Sequence, residues 1–269
     1  MEPMTIREIM DAVGGKLLGE FGDINRMVGR VETDSRTIHA GSLFVPLVGE
    51  RFDGHAYINA ALEGGAAGCF TQRERESYLP GKFYIKVDST QRALRDLAKY
   101  YKKKFPIPVV ALTGSVGKTT TKDMVAAVLG EKYRVLKTEG NLNNEIGVPM
   151  TLLRLSGEHE IAVLELGMNH AGEIDYLSAL VEPDVVLMTN IGDSHIEHFG
   201  SREKILEAKS EIFHHVKSGA FVVINGDDPL LNTLPGKLPY AFTRVGAGEG
   251  LDYRAERLVS DGKSHMTCE

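Results

Sequence analysis

Cysteine is nearly missing from this chain: Cys69 and Cys268 are the only two in 269 residues and stand in unrelated contexts, so neither a disulfide framework nor a metal knuckle is expected. Basic excess is missing too. Lysine and arginine number 31 against 37 aspartates and glutamates, a formal net charge of −6, whereas neutralising a nucleic-acid backbone needs a positive surface. No run approaches the roughly 18 apolar residues of a membrane helix, and the N-terminal MEPMTIREIM has neither the basic nor the apolar segment of a secretory signal. No internal repeat and no low-complexity segment stands out. The simplest expectation from these absences is a cytosolic protein with no nucleic-acid partner and no membrane insertion. At 42% hydrophobic and 25% charged residues it has an ordinary globular composition and the length for about two domains.

Thr5 and Glu8 make a TxxE capping box, after which Ile6, Ile9, Met10 and Val13 recur at helical spacing until Gly14-Gly15. Strand-like runs at 42–47 and 82–87 flank a helical segment around 56–62, and a second helix runs from an N-cap at Ser89 to about Lys104. Pro106 and Pro108 then forbid helix and extend their predecessors. A boundary there divides an N-terminal domain, 1–105, from a second, 106–269. In the second, strands are predicted at 109–112, 161–166, 185–189 and 221–225, alternating with helices at about 118–129, 173–180 and 202–217. Continuous apolar strands separated by helices predict an α/β fold: a mostly parallel sheet covered by helices, binding ligands at the carboxyl ends of its strands. From Tyr253 through Asp261-Gly262 to Glu269 the pattern reads as a strand, a turn and the start of a returning strand, so this domain is expected to be incomplete at its C-terminal end.

The stretch VALTGSVGKTT, 110–120, falls at a strand-to-helix junction but is shorter than the GxxxxGK[ST] phosphate loop, with Leu112 where the first glycine would stand. Gly114 and Gly117 still permit a tight turn whose amides, with the helix N-terminus, face a phosphate. Lys118 can reach the outer phosphates and the Thr119 hydroxyl can ligate Mg2+. Glu165 comes at the end of the apolar run IAVLEL, at the carboxyl end of a strand, where a second Mg2+ ligand would stand. Asp193, His195, Glu197 and His198 crowd the end of another strand, a pattern suited to metal or acyl-transfer duty. At 100° per residue, Lys209 falls inside the stripe of Ile205, Ile212 and Val216, opposite Glu203, Glu207 and Glu211. Such a lysine either snorkels to solvent or is a desolvated amine, neutral often enough to become a metal-binding carbamate.

The loop TGSVGKTT resembles the TGxxGKT[ST] of the Mur ligases, the ATP-dependent amide-forming enzymes of peptidoglycan precursor synthesis. Further blocks are TEGNLNNEIGVP at 138–149, ELGMNHAGEI at 165–174, NIGDSHIEHFG at 190–200, EAKSEIF at 207–213 and NGDDP at 225–229. These are most similar to the branch that joins D-alanyl-D-alanine to UDP-N-acetylmuramoyl-tripeptide; Met168-Asn169-His170 stands where the ligases adding the third peptide residue usually have Ser-Ser-His. TDSR at 33–36, FVPLVG at 44–49 and FDGH at 52–55 resemble the family's uridine-nucleotide-binding domain, so the resemblance covers essentially the whole chain.

The resemblance implies that Thr113, Gly114, Ser115, Val116, Gly117, Lys118 and Thr119 grip ATP, with Asn225 at the adenine and Asp228 near the ribose. It implies one Mg2+ on Thr119 and Glu165 and a second on His195 and a carbamylated Lys209. Lys118, Glu165, His195 and Lys209 then carry catalysis: the tripeptide carboxylate takes the γ-phosphate, and the D-alanyl-D-alanine amine attacks the acyl phosphate. Ser35, Arg36, Asp53, Gly54 and His55 are implied for the uracil and diphosphate, and Asn141, Asn144, Asn169 and His170 for the sugar peptide. The family's third, Rossmann-like domain has no counterpart in these residues, so this chain, expected as a monomer, should bind substrates but ligate poorly. Two alternatives stay open: a third-residue or folylpolyglutamate-type ligase, told apart by the amine accepted, and a non-catalytic nucleotide-binding module, which has no need of Glu165 or Lys209.

Overall fold

The computed structural model describes residues 1–49, 52–256, 259–260 and 266–267. The chain forms two compact units, one of residues 1–106 with 145–158, the other of residues 107–144 with 159–269.

In the first unit, helix α1 (Ile6–Val13) begins on the capping box read from the sequence, the Thr5 hydroxyl accepting from the Glu8 amide while the Glu8 carboxylate accepts from that of Thr5. Strands β1 (Lys16–Leu18), β2 (Val31–Glu32), β3 (Leu43–Phe44), β4 (Gly68–Thr71) and β5 (Phe83–Lys86) form one sheet in the order β1-β5-β4-β3-β2, parallel except between β1 and β5. A 3-10 turn at Gly54–Tyr57 leads into α2 (Ile58–Glu63). Helix α2 packs Ile58, Ala61 and Leu62 against Phe44, Cys69 and Tyr84. Helix α3 (Thr90–Lys102) starts at the expected Ser89 cap and ends two residues before the predicted Lys104. The later segment 145–158 completes this unit. Its helix α5 (Gly147–Leu152) packs on α3, buries Val148 and Leu152, and admits Pro149 in a first turn that needs no N–H there. The Tyr101 hydroxyl donates to the Leu155 carbonyl at 2.6 Å within the same layer.

The second unit is built on seven parallel strands: β6 (Val109–Thr113), β7 (Val135–Lys137), β8 (Ile161–Glu165), β9 (Val185–Met188), β10 (Phe221–Asn225), β11 (Phe242–Gly246) and β12 (Tyr253–Arg254). Their order is β7-β8-β6-β9-β10-β11-β12, so the phosphate-loop strand is central. Helices α4 (Lys118–Gly130), α6 (Glu173–Val181), α7 (Ile196–Phe199) and α8 (Arg202–Ser210) make the crossovers or line the carboxyl ends. Residues 259–260 and 266–267 pair antiparallel, as the hairpin reading expected, while its turn at Asp261-Gly262 lies outside the described residues.

One expectation is corrected. The helix predicted over 202–217 ends at Ser210, and Glu211–His215 winds as a 3-10 turn instead. Val216 is extended, which stops the helix from continuing, and the Ser178 hydroxyl donates to the Ile212 carbonyl at 2.7 Å. Ile212 and Phe213 are both buried by the tighter winding.

Candidate functional site

All five residues of β6 are buried, and the strand ends with the Thr113 hydroxyl donating to the Leu166 carbonyl at 2.9 Å. Gly114 has φ of +152°, and a Cβ there would stand 1.9 Å from the Thr189 Oγ1, so the bend admits only glycine. The amides of Ser115 and Val116, expected to face a phosphate, instead donate to the backbone and side-chain oxygens of Asn190 at 2.9 and 3.0 Å. Asn190 thereby holds the loop in shape. The donors left for an anion are those of the first turn of α4, which Gly117 opens, because first-turn amides have no carbonyl partner within their own helix. Lys118 folds back over the loop, its Nζ donating to the carbonyls of Gly114 at 2.9 Å and Ser115 at 3.3 Å.

Strand β8 lies beside β6 with Glu165 level with Leu112, which delivers the carboxylate to the loop. Glu165 is only 1% exposed. Its Oε2 accepts from the Thr119 hydroxyl at 2.9 Å and its Oε1 from the Asn143 carboxamide at 2.8 Å, while its backbone N–H donates to Thr138 Oγ1 at 3.0 Å. Asn143 was not among the residues picked from the sequence. Its neighbours Asn141 and Asn144 were, and nothing in the run NLNN says which amide turns inward.

Lys118, Asn141, Asn144, Asn169, His195 and Lys209 line one polar cavity of about 210 Å³, together with Asn143 and Glu173. Lys209 is 2% exposed, the desolvated one of the two alternatives that its place on the apolar stripe left open. Burial, and then the charge of Lys118, push its amine down to about 7. His195 is lowered by burial first and by Lys209 second, and Lys118 is lowered by burial against the opposing pull of Glu165. His195 also holds a left-handed backbone, φ 65°, uncommon for a residue with a side chain, at the start of α7. Three basic side chains thus crowd a small cavity at the carboxyl end of a parallel sheet, an arrangement that an anion with several charges relieves.

The other polar residues of this region are otherwise engaged. His170 stands outside the cavity lining, its Nδ1 3.2 Å from Glu173 and its ring 5.5 Å from that of His198. Asp193 is held by the Arg202 guanidinium through two contacts of 2.7 Å. No group of three His, Cys, Asp or Glu able to hold a metal occurs among the described residues, so Asp193, His195, Glu197 and His198 do not form one. For Mg2+, a hard cation that takes oxygen, the Thr119 hydroxyl and the buried Glu165 carboxylate fit. His195 and Lys209 offer nitrogen, so a second ion fits only if Lys209 carries the oxygens of a carbamate.

At the end of β10, the Asn225 carboxamide oxygen accepts from the Asp227 amide at 2.9 Å. Asp228, expected near a ribose, is buried with both oxygens on backbone amides: Ile191 at 2.7 Å, Leu230 at 2.9 Å and Leu231 at 3.0 Å. It ties its own loop to the one that leads to His195. Asp227, not singled out from the sequence, accepts from the amides of Ala247 and Gly248 at 2.7 and 2.8 Å.

The first unit has cavities of its own. Ser35 and Arg36 line one of about 590 Å³ with Phe44, Phe52 and Tyr57, the last two rings stacked at 5.6 Å. The Arg36 guanidinium beside Asp34 holds that carboxyl down at about 2. Asp53 and His55 line another of about 300 Å³ with Arg73 and Arg75, the His55 Nδ1 lying 2.7 Å from the Asp53 carboxylate. Gly54 is buried between these residues rather than lining either cavity.

A parallel sheet whose central strand runs into a glycine-bent loop and a helix N-terminus, with a buried acid on the next strand, defines a P-loop-type nucleotide-binding domain. The chain belongs to the Mur ligase family: the profile of the Mur ligase middle domain matches residues 112–268, and that of the Mur ligase family catalytic domain matches residues 28–102. It is similar to the UDP-N-acetylmuramoyl-tripeptide--D-alanyl-D-alanine ligase of Bacillus subtilis, 46% identical over 98% of this chain and 57% of that protein. Among solved structures it resembles MurF from Acinetobacter baumannii, with a TM-score of 0.88 and 35% identity over 96% of this chain and 56% of the other. It also resembles MurF ligase from Thermotoga maritima in complex with ADP, with a TM-score of 0.79 and 35% identity over 87% and 54%. The chain spans about half the length of the curated relatives it matches.

Proposed function

We propose that this chain forms the substrate- and ATP-binding part of an ADP-forming ligase that adds D-alanyl-D-alanine to UDP-N-acetylmuramoyl-tripeptide. The observation that carries the reading is the convergence of Lys118, His195 and Lys209 on one cavity beside the Thr119–Glu165 pair. Lys118 stabilises the γ-phosphate as charge moves onto it. The tripeptide carboxylate attacks that phosphorus and expels ADP, and the amine of D-alanyl-D-alanine then attacks the acyl phosphate and expels phosphate. Bound Mg2+ supplies charge neutralisation at the phosphates, and Thr119 and Glu165 would hold it. The lowered His195 is a neutral imidazole near pH 7, ready to donate a ring nitrogen as ligand, and the low Lys209 is open to carbamylation, which would complete a second cation site beside it. Asn225 serves the adenine, Asn141, Asn144 and Asn169 the sugar peptide with His170 at its edge, and Ser35, Arg36, Asp53 and His55 the uridine diphosphate. The similarity to ligases named for this reaction supports the choice of amine.

The 269 residues by themselves are expected to bind Mg2+-ATP but to ligate slowly, because the relatives are nearly twice as long. Joining them to the remaining part of the Bacillus subtilis relative should produce phosphate release that depends on both UDP-sugar tripeptide and D-alanyl-D-alanine. Release driven instead by diaminopimelate, lysine or glutamate would replace this reading with that of a third-residue or folylpolyglutamate-type ligase. No release with any amine, while ATP still binds, would leave a nucleotide-binding module.

A further inference from the structure

The Glu165 carboxylate is buried, yet its two oxygens are treated differently. Oε2 faces the Thr119 hydroxyl, a partner that would itself turn to a cation. Oε1 is held by the Asn143 carboxamide, a neutral donor. Asn143 is in turn fixed from two sides. Its backbone carbonyl accepts from the Gly167 amide at 2.7 Å, and its side chain lies flat against the Cα of Gly167, where an added Cβ would stand 2.9 Å from Cγ and 3.0 Å from both Nδ2 and Oδ1. Gly167 stands two residues past Glu165, the last residue of β8, so the segment leaving the strand that supplies the acid also supplies the flat surface that seats its partner.

From this geometry we infer that Asn143 is a positioning residue: it pins one oxygen of Glu165 so that the other is presented to a divalent cation, and residue 167 is glycine to leave room for its carboxamide. The inference rests on the nucleotide and metal reading above and adds a residue to it. Because the amide donates to Oε1 alone, a cation does not compete with it, and the carboxylate acts as a one-oxygen ligand that need not reorganise on binding. Carboxylate ligands left without such partners lose metal affinity by roughly 10- to 100-fold.

The test is titration of Mn2+, followed by loss of its free electron-paramagnetic signal, into the chain with ADP present, beside calorimetric titration of ADP without metal. In Asn143→Ala the Mn2+ affinity should fall about 10- to 100-fold, with metal-free ADP affinity unchanged. Gly167→Ala, which leaves Glu165 untouched, should cause the same selective loss by displacing the carboxamide. The double variant should be no worse than Asn143→Ala alone, since both act through one contact. Should Asn143→Ala fail to fold, the selective loss in a folded Gly167→Ala decides. Unchanged Mn2+ affinity in a folded variant, equal loss of metal and metal-free ADP affinity, or additive effects in the double variant would overturn the inference. A wild-type chain that binds neither ADP nor Mn2+ would overturn the nucleotide reading itself, and this inference with it.

Discussion

At the scale of single residues, Lys209 makes the sharpest prediction. Its amine sits at about 7 in the folded chain against 10.5 for the ordinary value, so between those two pH values the unfolded state holds the extra proton. Stability contributed at this position therefore rises with pH above about 7 and is constant below it. Relative to Lys209→Met, the wild type should be penalised most at pH 7 and below. The gap should close as pH rises toward 9, by at most about 1.4 kcal/mol per pH unit, measured by urea unfolding in buffers free of carbon dioxide. A gap that widened with pH would contradict a desolvated amine. Lys209 and Glu165 were legible in the sequence because each breaks a pattern: a charge in an apolar helical stripe, and an acid at the end of a run of strand residues. Asn143 breaks none. Its partner is 22 residues further on, and only folding selects it from the asparagines beside it.

At the scale of elements, the junction between α8 and the 3-10 turn decides how the loop before α6 is held. Glu211 accepts from the Gly172 amide at 2.8 and 3.0 Å and from the Asp175 amide at 3.1 Å, closing the N-terminus of α6 from another element. Glu211→Ala removes both the acceptor and the charge that suits a helix N-terminus, and should cost about 1 kcal/mol in urea unfolding. Glu211→Gln keeps an acceptor and should cost less. Equal losses would mean that hydrogen bonding contributes nothing there. The sequence put Glu211 on the polar side of a longer helix, away from Lys209. Helical periodicity carries no sign that the backbone turns extended at Val216. Strands β6, β8, β9 and β10 of the second unit were readable because each run is apolar and several residues long, whereas β7, β11 and α7 were not read as elements. A strand of two residues such as β2 is too short to show a period.

At the scale of the whole molecule, the prolines at 106 and 108 mark where the chain first leaves the N-terminal unit, but residues 145–158 return to it. No composition shift announces the return, since α5 has only six residues. Residues 1–106 made alone would lack the surface that covers α3 and would expose it to water. They are expected to bind a hydrophobic dye and to unfold at lower urea than the same residues joined through a short linker to 145–158. Tyr101→Phe in the joined form, which removes the donor to Leu155, should cost about 1 kcal/mol.

That interleaving also sets an order of events during synthesis. The unit that opens the chain cannot be finished when residue 106 emerges from the ribosome, because its last helix is encoded after β6, α4 and β7. At translation rates of about 5–20 residues per second, the 52 residues from 107 to 158 impose a wait of roughly 3 to 10 s. Through that interval the face of α3 stands uncovered, and the first three elements of the nucleotide-binding unit leave the ribosome before the unit ahead of them can close.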